Sequence, residues 1–194
     1  MSSFFAFADS RLVAPHRRLI LGGALLSGAA VALLAGRDAL AAAESRGTKS
    51  GANDANILNT ALGAEHEAVA AYQVAAESGL LEKPVLALAT QFQGHHRAHV
   101  DLLAGTVSKL GGQPVDAKAR YSFPTDKLKT QADVLRFAAL LEKGAVSAYL
   151  NAVPVFGNRD LAKAAASILG DEAMHWAVLR HAVGEDPVPV AFVS

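Results

Sequence analysis

Glu65-His66-Glu67-Ala68-Val69-Ala70-Ala71-Tyr72 returns 77 residues later as Glu142-Lys143-Gly144-Ala145-Val146-Ser147-Ala148-Tyr149, the same Glu-x-x-Ala-Val-x-Ala-Tyr pattern. A second pair follows at an offset of 76: Gly94-His95-His96-Arg97-Ala98-His99-Val100-Asp101-Leu102-Leu103 and Gly170-Asp171-Glu172-Ala173-Met174-His175-Trp176-Ala177-Val178-Leu179. The chain is therefore built from two units of one design. Each unit carries a Glu on its first segment and, on its second, two polar residues three apart that end in His. Residues three apart share a helical face, so His96 with His99 and Glu172 with His175 can each point at one ion. If the two units pack about a pseudo-twofold axis, Glu65 and Glu142 approach the same point from the other side.

The sequence around these motifs reads as four long helices. The first spans about Asp54 to Ser78, with Leu58, Leu62, Val69 and Tyr72 on one face and Gly79 as its stop. The second opens with Pro84 in its first turn, where the missing N–H costs nothing, and ends before Gly111-Gly112. Thr130 followed by Asp133 is a capping-box-like start for the third, which runs to about Val153 before Pro154. The fourth runs from near Asn158 to Gly184. No stretch shows sustained two-residue alternation, so the fold class is all-α. Helices one and two, and three and four, have short connections and form antiparallel hairpins. The link between the pairs, Gly111 to Thr130, is long enough to run the length of a four-helix bundle, although an up-down-up-down arrangement stays open on length alone.

Composition narrows the chemistry. The 194 residues are 52% hydrophobic and 19% charged, enough apolar material for one domain with a core. Charge is balanced, 18 basic against 18 acidic residues, with no dense Lys/Arg stripe, which argues against a nucleic-acid partner. There is no cysteine, so metal chemistry must use carboxylates, backbone oxygens or the seven histidines.

Residues 1–41 read as an export signal. An uncharged Ala/Leu/Gly-rich run from Leu19 to Gly36 follows His16-Arg17-Arg18 and precedes Ala39-Leu40-Ala41. The Arg pair followed by Leu19-Ile20-Leu21 is similar to a twin-arginine signal. The alternative is a retained membrane anchor; if the signal is cleaved, no stable anchor remains and the protein is periplasmic. Residues 42–53 then read as a flexible linker, 54–184 as the bundle and 185–194 as a C-terminal tail. Taking four basic and two acidic residues away with residues 1–41 leaves a mature formal charge of −2.

On these residues the chain resembles the ferritin-like superfamily, in which a Glu on each of two helices and a Glu-x-x-His on each of the other two hold iron or manganese. The resemblance implies a ferritin-like four-helix bundle with a long crossover and a metal set of Glu65, His96, His99, Glu142, Glu172 and His175, holding one or two ions. It departs from the pattern at His96, which stands where the family has its second bridging Glu. An imidazole nitrogen binds one metal and adds no negative charge, so ferroxidase chemistry is not simply inherited. Tyr72, Tyr149 and Asp101 are expected behind the ligands; the two tyrosine hydroxyls can orient inward carboxylates, or the rings can be plain core. Asn59 falls where some relatives place that residue type.

The neighbours of these positions are expected elsewhere. His66 and His95 belong at the boundary or outer face, His181 at the surface, and Glu67 turned away. Trp176 is expected against the crossover, and Phe92 and Met174 as core filler. Two functions follow from the resemblance. One is an exported metal-dependent oxidoreductase that oxidises its metal or reduces oxygen or peroxide. The other is a non-catalytic module, metal-binding or metal-free, with a periplasmic stress or partner-binding role. Metal ions and a small oxidant are the implied partners, and the sequence leaves a homodimer open.

Overall fold

The computed structural model describes residues 50–193. The described residues form four helices, α1 (Ser50–Glu77), α2 (Lys83–Lys109), α3 (Gln131–Ala152) and α4 (Arg159–Ala182), with short 3-10 turns at Thr125–Lys127 and Val153–Val155. No strand occurs among the described residues, and none of their helices is long and apolar enough to cross a membrane. α1 begins at Ser50, ahead of the expected Asp54, so the end of the expected linker is helical. The export-signal reading of residues 1–41 lies outside the described residues.

The local signals act as their chemistry dictates. Pro84 occupies the first turn of α2. Thr130 and Asp133 form a reciprocal capping box at the start of α3: the Thr130 hydroxyl accepts from the Asp133 N–H, and the Asp133 carboxylate accepts from the Thr130 N–H at 2.9 Å. Asn158 caps α4 through the Asp160 N–H at 2.8 Å. Gly79 and Gly111, at φ of 70° and 78°, take the left-handed turns that end the first two helices.

The crossover decides the topology. It leaves α2 at Gly112, where an added Cβ would come within 3.0 Å of the Val107 side chain and 3.4 Å of Ala55. Asn59 then clamps it along α1, donating to the Gln113 carbonyl at 2.7 Å and accepting from the Val115 N–H at 2.9 Å. His66, half-buried, reaches the Val115 carbonyl at 3.2 Å. At its other end Gln131 accepts from the Glu82 N–H at 2.8 Å, which puts the starts of α2 and α3 side by side. The crossover thus runs the length of the bundle, and the up-down-up-down alternative is excluded. α2 and α3 are parallel, and α1 and α3 antiparallel. The turn from α3 into α4 is tied back to the start of α1, because buried Asp54 accepts from the N–H groups of Gly157 and Asn158 at 2.9 and 3.0 Å.

The interior has an apolar cluster at each end. One contains Leu58, Leu62, Leu103, Val107, Tyr149 and Ile168. The other contains Tyr72, Phe92, Leu135, Ala138, Trp176 and Leu179. Phe92 is core as expected, but two expectations fail. Trp176 packs with α3 residues in the second cluster, away from the crossover, with Lys143 and Arg180 over its ring at 5.9 and 5.6 Å. Met174 is 61% exposed: only one position from His175, it turns through about 100° of helix to the outer face.

Candidate metal centre

Between the two apolar clusters lies a polar one. Glu65 on α1, His96 and His99 on α2, Glu142 on α3, and Glu172 and His175 on α4 converge at the middle of the bundle. Five of the six are at most 3% exposed, and His99 is at 12%. All six residues expected from the sequence are brought together.

Their donor atoms form two overlapping groups, Glu65/His96/His99/Glu172 and His96/Glu142/Glu172/His175, each with its ligand atoms within 4.8 Å of one another. His96 and Glu172 are common to both. His96 lies across the centre, its Nδ1 at 2.8 Å from Glu65 and its Nε2 at 3.3 Å from Glu142. His99 Nδ1 is 3.1 Å from Glu172 and 3.4 Å from Glu65, and His175 Nδ1 is 3.5 Å from Glu142.

Two tyrosines hold the carboxylates from behind, in a crossed arrangement. Tyr149 on α3 donates to Glu65 on α1 at 2.6 Å, and Tyr72 on α1 donates to Glu142 on α3. Each tyrosine stands seven residues after the Glu of its own helix, yet it serves the Glu of the other helix. Antiparallel packing of α1 and α3 produces this exchange, because a step of two turns along one helix is the reverse step along its partner. The buried tyrosine hydroxyls facing carboxylates have pKa values raised well above 10, so they remain donors.

Three carboxylates in a dry interior need compensation. Burial alone pushes Glu65 up, but hydrogen bonds and the charges of His96 and His99 outweigh it and hold the carboxyl at about 2. Glu142 is likewise held well below its ordinary value by His175 and His96, against its burial. Burial dominates for Glu172, raised to about 7. The imidazoles respond in the opposite sense. Burial would lower them, but the facing carboxylates raise His96 to about 11 and His99 and His175 to about 9. Protons on three imidazoles thus balance the carboxylates.

Proton compensation leaves contacts unmade. His99 Nδ1, His175 Nδ1 and both Glu172 oxygens are buried without a hydrogen-bond partner, although carboxylates and imidazoles stand beside them. Buried polar groups are almost always paired, and each orphan costs about 1–3 kcal/mol. Close but misaligned donor atoms around a common point are the arrangement of metal ligands, and a mixed carboxylate and imidazole set suits iron or manganese. The residues present fit such ions.

The ferritin-like domain family matches residues 53–185. The chain belongs to the ferritin-like family. Solved structures agree with the ferritin-like fold. A conserved hypothetical protein from Mycobacterium tuberculosis has 25% identity and a TM-score of 0.64, over 74% of this chain and 99% of that one. A ferritin-like, diiron-carboxylate protein from Bacillus anthracis str. Ames has 18% identity and a TM-score of 0.61, over 70% and 99%. No curated protein matches the chain.

Some expectations about this ferritin-like centre need correction. Asp101 is exposed and takes no part in the cluster, because two residues beyond His99 is roughly the opposite side of a helix. Asn59 clamps the crossover and is no part of the centre. Glu67 is covered, 7% exposed, but lies outside the cluster. His181 is exposed, as expected. His95 lies at the boundary as expected, 39% exposed, and its Nδ1 reaches Asp171 at 3.1 Å and His175 Nε2 at 2.9 Å. Asp171, the residue before Glu172, was missed altogether. The repeat itself contained the signal, since His95 and Asp171 occupy equivalent positions, each four residues before the last His of its motif.

The shifts fix a sign for stability. His99 and His175 bind protons more tightly folded than unfolded, so their contribution is complete below about pH 6.5 and is lost as pH rises through about 9. Glu172 acts in the same direction between 4.5 and about 7. Thermal unfolding of the metal-stripped protein should therefore show a midpoint that falls steadily from about pH 6.5 to about pH 9. A midpoint that is flat or rises over that interval would show that the imidazoles do not carry the compensating charge.

Proposed function

We propose that this chain is an exported ferritin-like protein that holds iron or manganese in its bundle and uses it in redox chemistry with oxygen, peroxide or the metal itself. The observation that carries the reading is the pair of overlapping four-donor groups with their orphaned nitrogens and oxygens. The diiron-carboxylate description of the Bacillus anthracis protein of the same fold supports the metal class. The Leu19–Gly36 run with its Arg17-Arg18 flank supports periplasmic export as a folded chain.

Glu65, His99 and Glu172 would hold an ion on one side, and Glu142, Glu172 and His175 on the other, with His96 between them. An iron or manganese ion in such a site supplies one-electron chemistry toward a small oxidant. The chain contributes the rest. Tyr72 and Tyr149 fix the carboxylate rotamers by donating hydrogen bonds that cannot follow a proton away. The apolar clusters on both sides exclude bulk water and strengthen every charge interaction in the centre.

His96 favours a second reading. An imidazolium lying between Glu65 and Glu142 already satisfies two carboxylates without any metal, which suits a non-catalytic module with a stress-protective or partner-binding role. Metal content separates the two. Protein produced with both iron and manganese present should contain at least about one ion per chain, and less than about a tenth would end the metal-dependent reading. His96→Glu restores a bridging carboxylate and should raise occupancy toward two ions and alter the rate of iron oxidation by oxygen. No change in either quantity would place His96 outside the site. Export has its own test: replacing Arg17 and Arg18 by Lys should abolish periplasmic accumulation, and an unchanged periplasmic yield would refute the twin-arginine route.

A further inference from the structure

The centre has an outer face. His95 Nδ1, Asp171 Oδ2 and His175 Nε2 form a compact triangle with edges of 2.9 Å (His95 to His175), 3.1 Å (His95 to Asp171) and 3.3 Å (His175 to Asp171). Four ligands placed tetrahedrally at about 2.0–2.1 Å from a metal are separated by roughly 3.3 Å, so the triangle is close to one face of such a coordination shell. The three side chains run from solvent inward: His95 is 39% exposed, Asp171 22% and His175 2%.

Protons satisfy this triangle poorly. The two nitrogens 2.9 Å apart share at most one proton, so whichever ring donates leaves the other an acceptor. Asp171 Oδ2 is meanwhile approached by a third imidazole, His99 Nε2, at 3.4 Å. A cation accepts a lone pair from both ring nitrogens and from the carboxylate at once. Phe92 stacks on the His175 ring at 4.0 Å between centroids, which holds that ring with Nδ1 toward Glu142 and Nε2 toward Asp171.

We propose that His95, Asp171 and the outward nitrogen of His175 form a second metal site on the flank of the bundle, between α2 and α4, a two-histidine, one-carboxylate site for a divalent transition-metal ion with its remaining positions open to solvent. The donor set is that of borderline cations such as Fe²⁺, Co²⁺ and Zn²⁺, and its single carboxylate discriminates against Mg²⁺ and Ca²⁺, which prefer oxygen shells. The site is distinct from the buried centre because it uses the opposite nitrogen of His175 and two residues that the centre does not use. The two sites share His175, but the outer ion can be read separately, because His95 and Asp171 belong to it alone. Occupying both faces of His175 together removes both ring protons, so the outer ion is the weaker of the two when the centre is filled.

The test is Co²⁺ binding to the metal-stripped full chain, followed by the visible absorption of the bound ion and by metal analysis after gel filtration. His95→Ala alters a half-exposed side chain and should preserve helicity by circular dichroism while weakening one Co²⁺ per chain by at least about tenfold. Asp171→Asn should weaken the same ion. Glu65→Gln, which damages only the buried centre, should leave that ion in place. One Co²⁺ lost in His95→Ala and retained in Glu65→Gln supports the outer site even if the centre proves empty. Co²⁺ lost only in Glu65→Gln supports the centre and overturns the outer site. Binding that is identical in wild type and His95→Ala, or absent from wild type, also overturns it.

Discussion

Three carboxylates inside a bundle with no lysine or arginine among them impose the constraint on which this molecule turns. A buried carboxylate needs a cation and a full set of hydrogen bonds, or it takes up a proton. Here imidazoles supply the charge and tyrosines supply the hydrogen bonds. The apolar clusters at each end complete the arrangement, because they make the centre dry enough for the interaction to be strong. They also bring the two halves together in the one register that lets Tyr149 reach Glu65 and Tyr72 reach Glu142. The crossover serves the same end: by running along α1 under the grip of Asn59, it makes α1 and α3 antiparallel, and only then can the tyrosines cross over.

His96 gives the centre its character. A glutamate at that position would bring a fourth negative charge and a bridge between two ions. The imidazole brings instead a group that titrates, spans Glu65 and Glu142, and competes with metal for both. The metal-free centre is compensated by protons on its imidazoles, and metal bound as proposed would take their place. Metal affinity in such a site rises with pH, whereas the stability of the metal-free fold falls, and the two trends come from the same nitrogens.

Much of this is legible in the sequence because the chain states it twice. The Glu-x-x-Ala-Val-x-Ala-Tyr repeat and the paired motifs ending in His99 and His175 name the six converging residues, and Gly79, Pro84 and the Thr130–Asp133 pair mark helix ends by local chemistry alone. What is not legible depends on how helices face one another. The exchange of tyrosine partners follows from antiparallel register, which no spacing within one helix reveals. Asp101 and Met174 differ from inward positions by one or two residues, and helical rotation carries them outward. The roles of Asp171 and of the boundary residue His95 are hidden for the opposite reason: each lies four residues before a ligand, one turn along the same face, and both meet the outer nitrogen of His175.

Proton release on metal binding tests the central claim most directly. Calorimetric titration of the metal-stripped protein with Fe²⁺ or Co²⁺ near pH 7, repeated in buffers of different ionisation enthalpy, counts the protons displaced per ion. His99 and His175, with pKa values raised to about 9, are charged at that pH and must each give up a proton when its inward nitrogen takes a metal. The account predicts that filling the centre releases at least two protons per chain, and fewer as pH rises through about 9. Tight binding with no net proton release would contradict it, since the imidazoles would then already be neutral and the carboxylates compensated by something else.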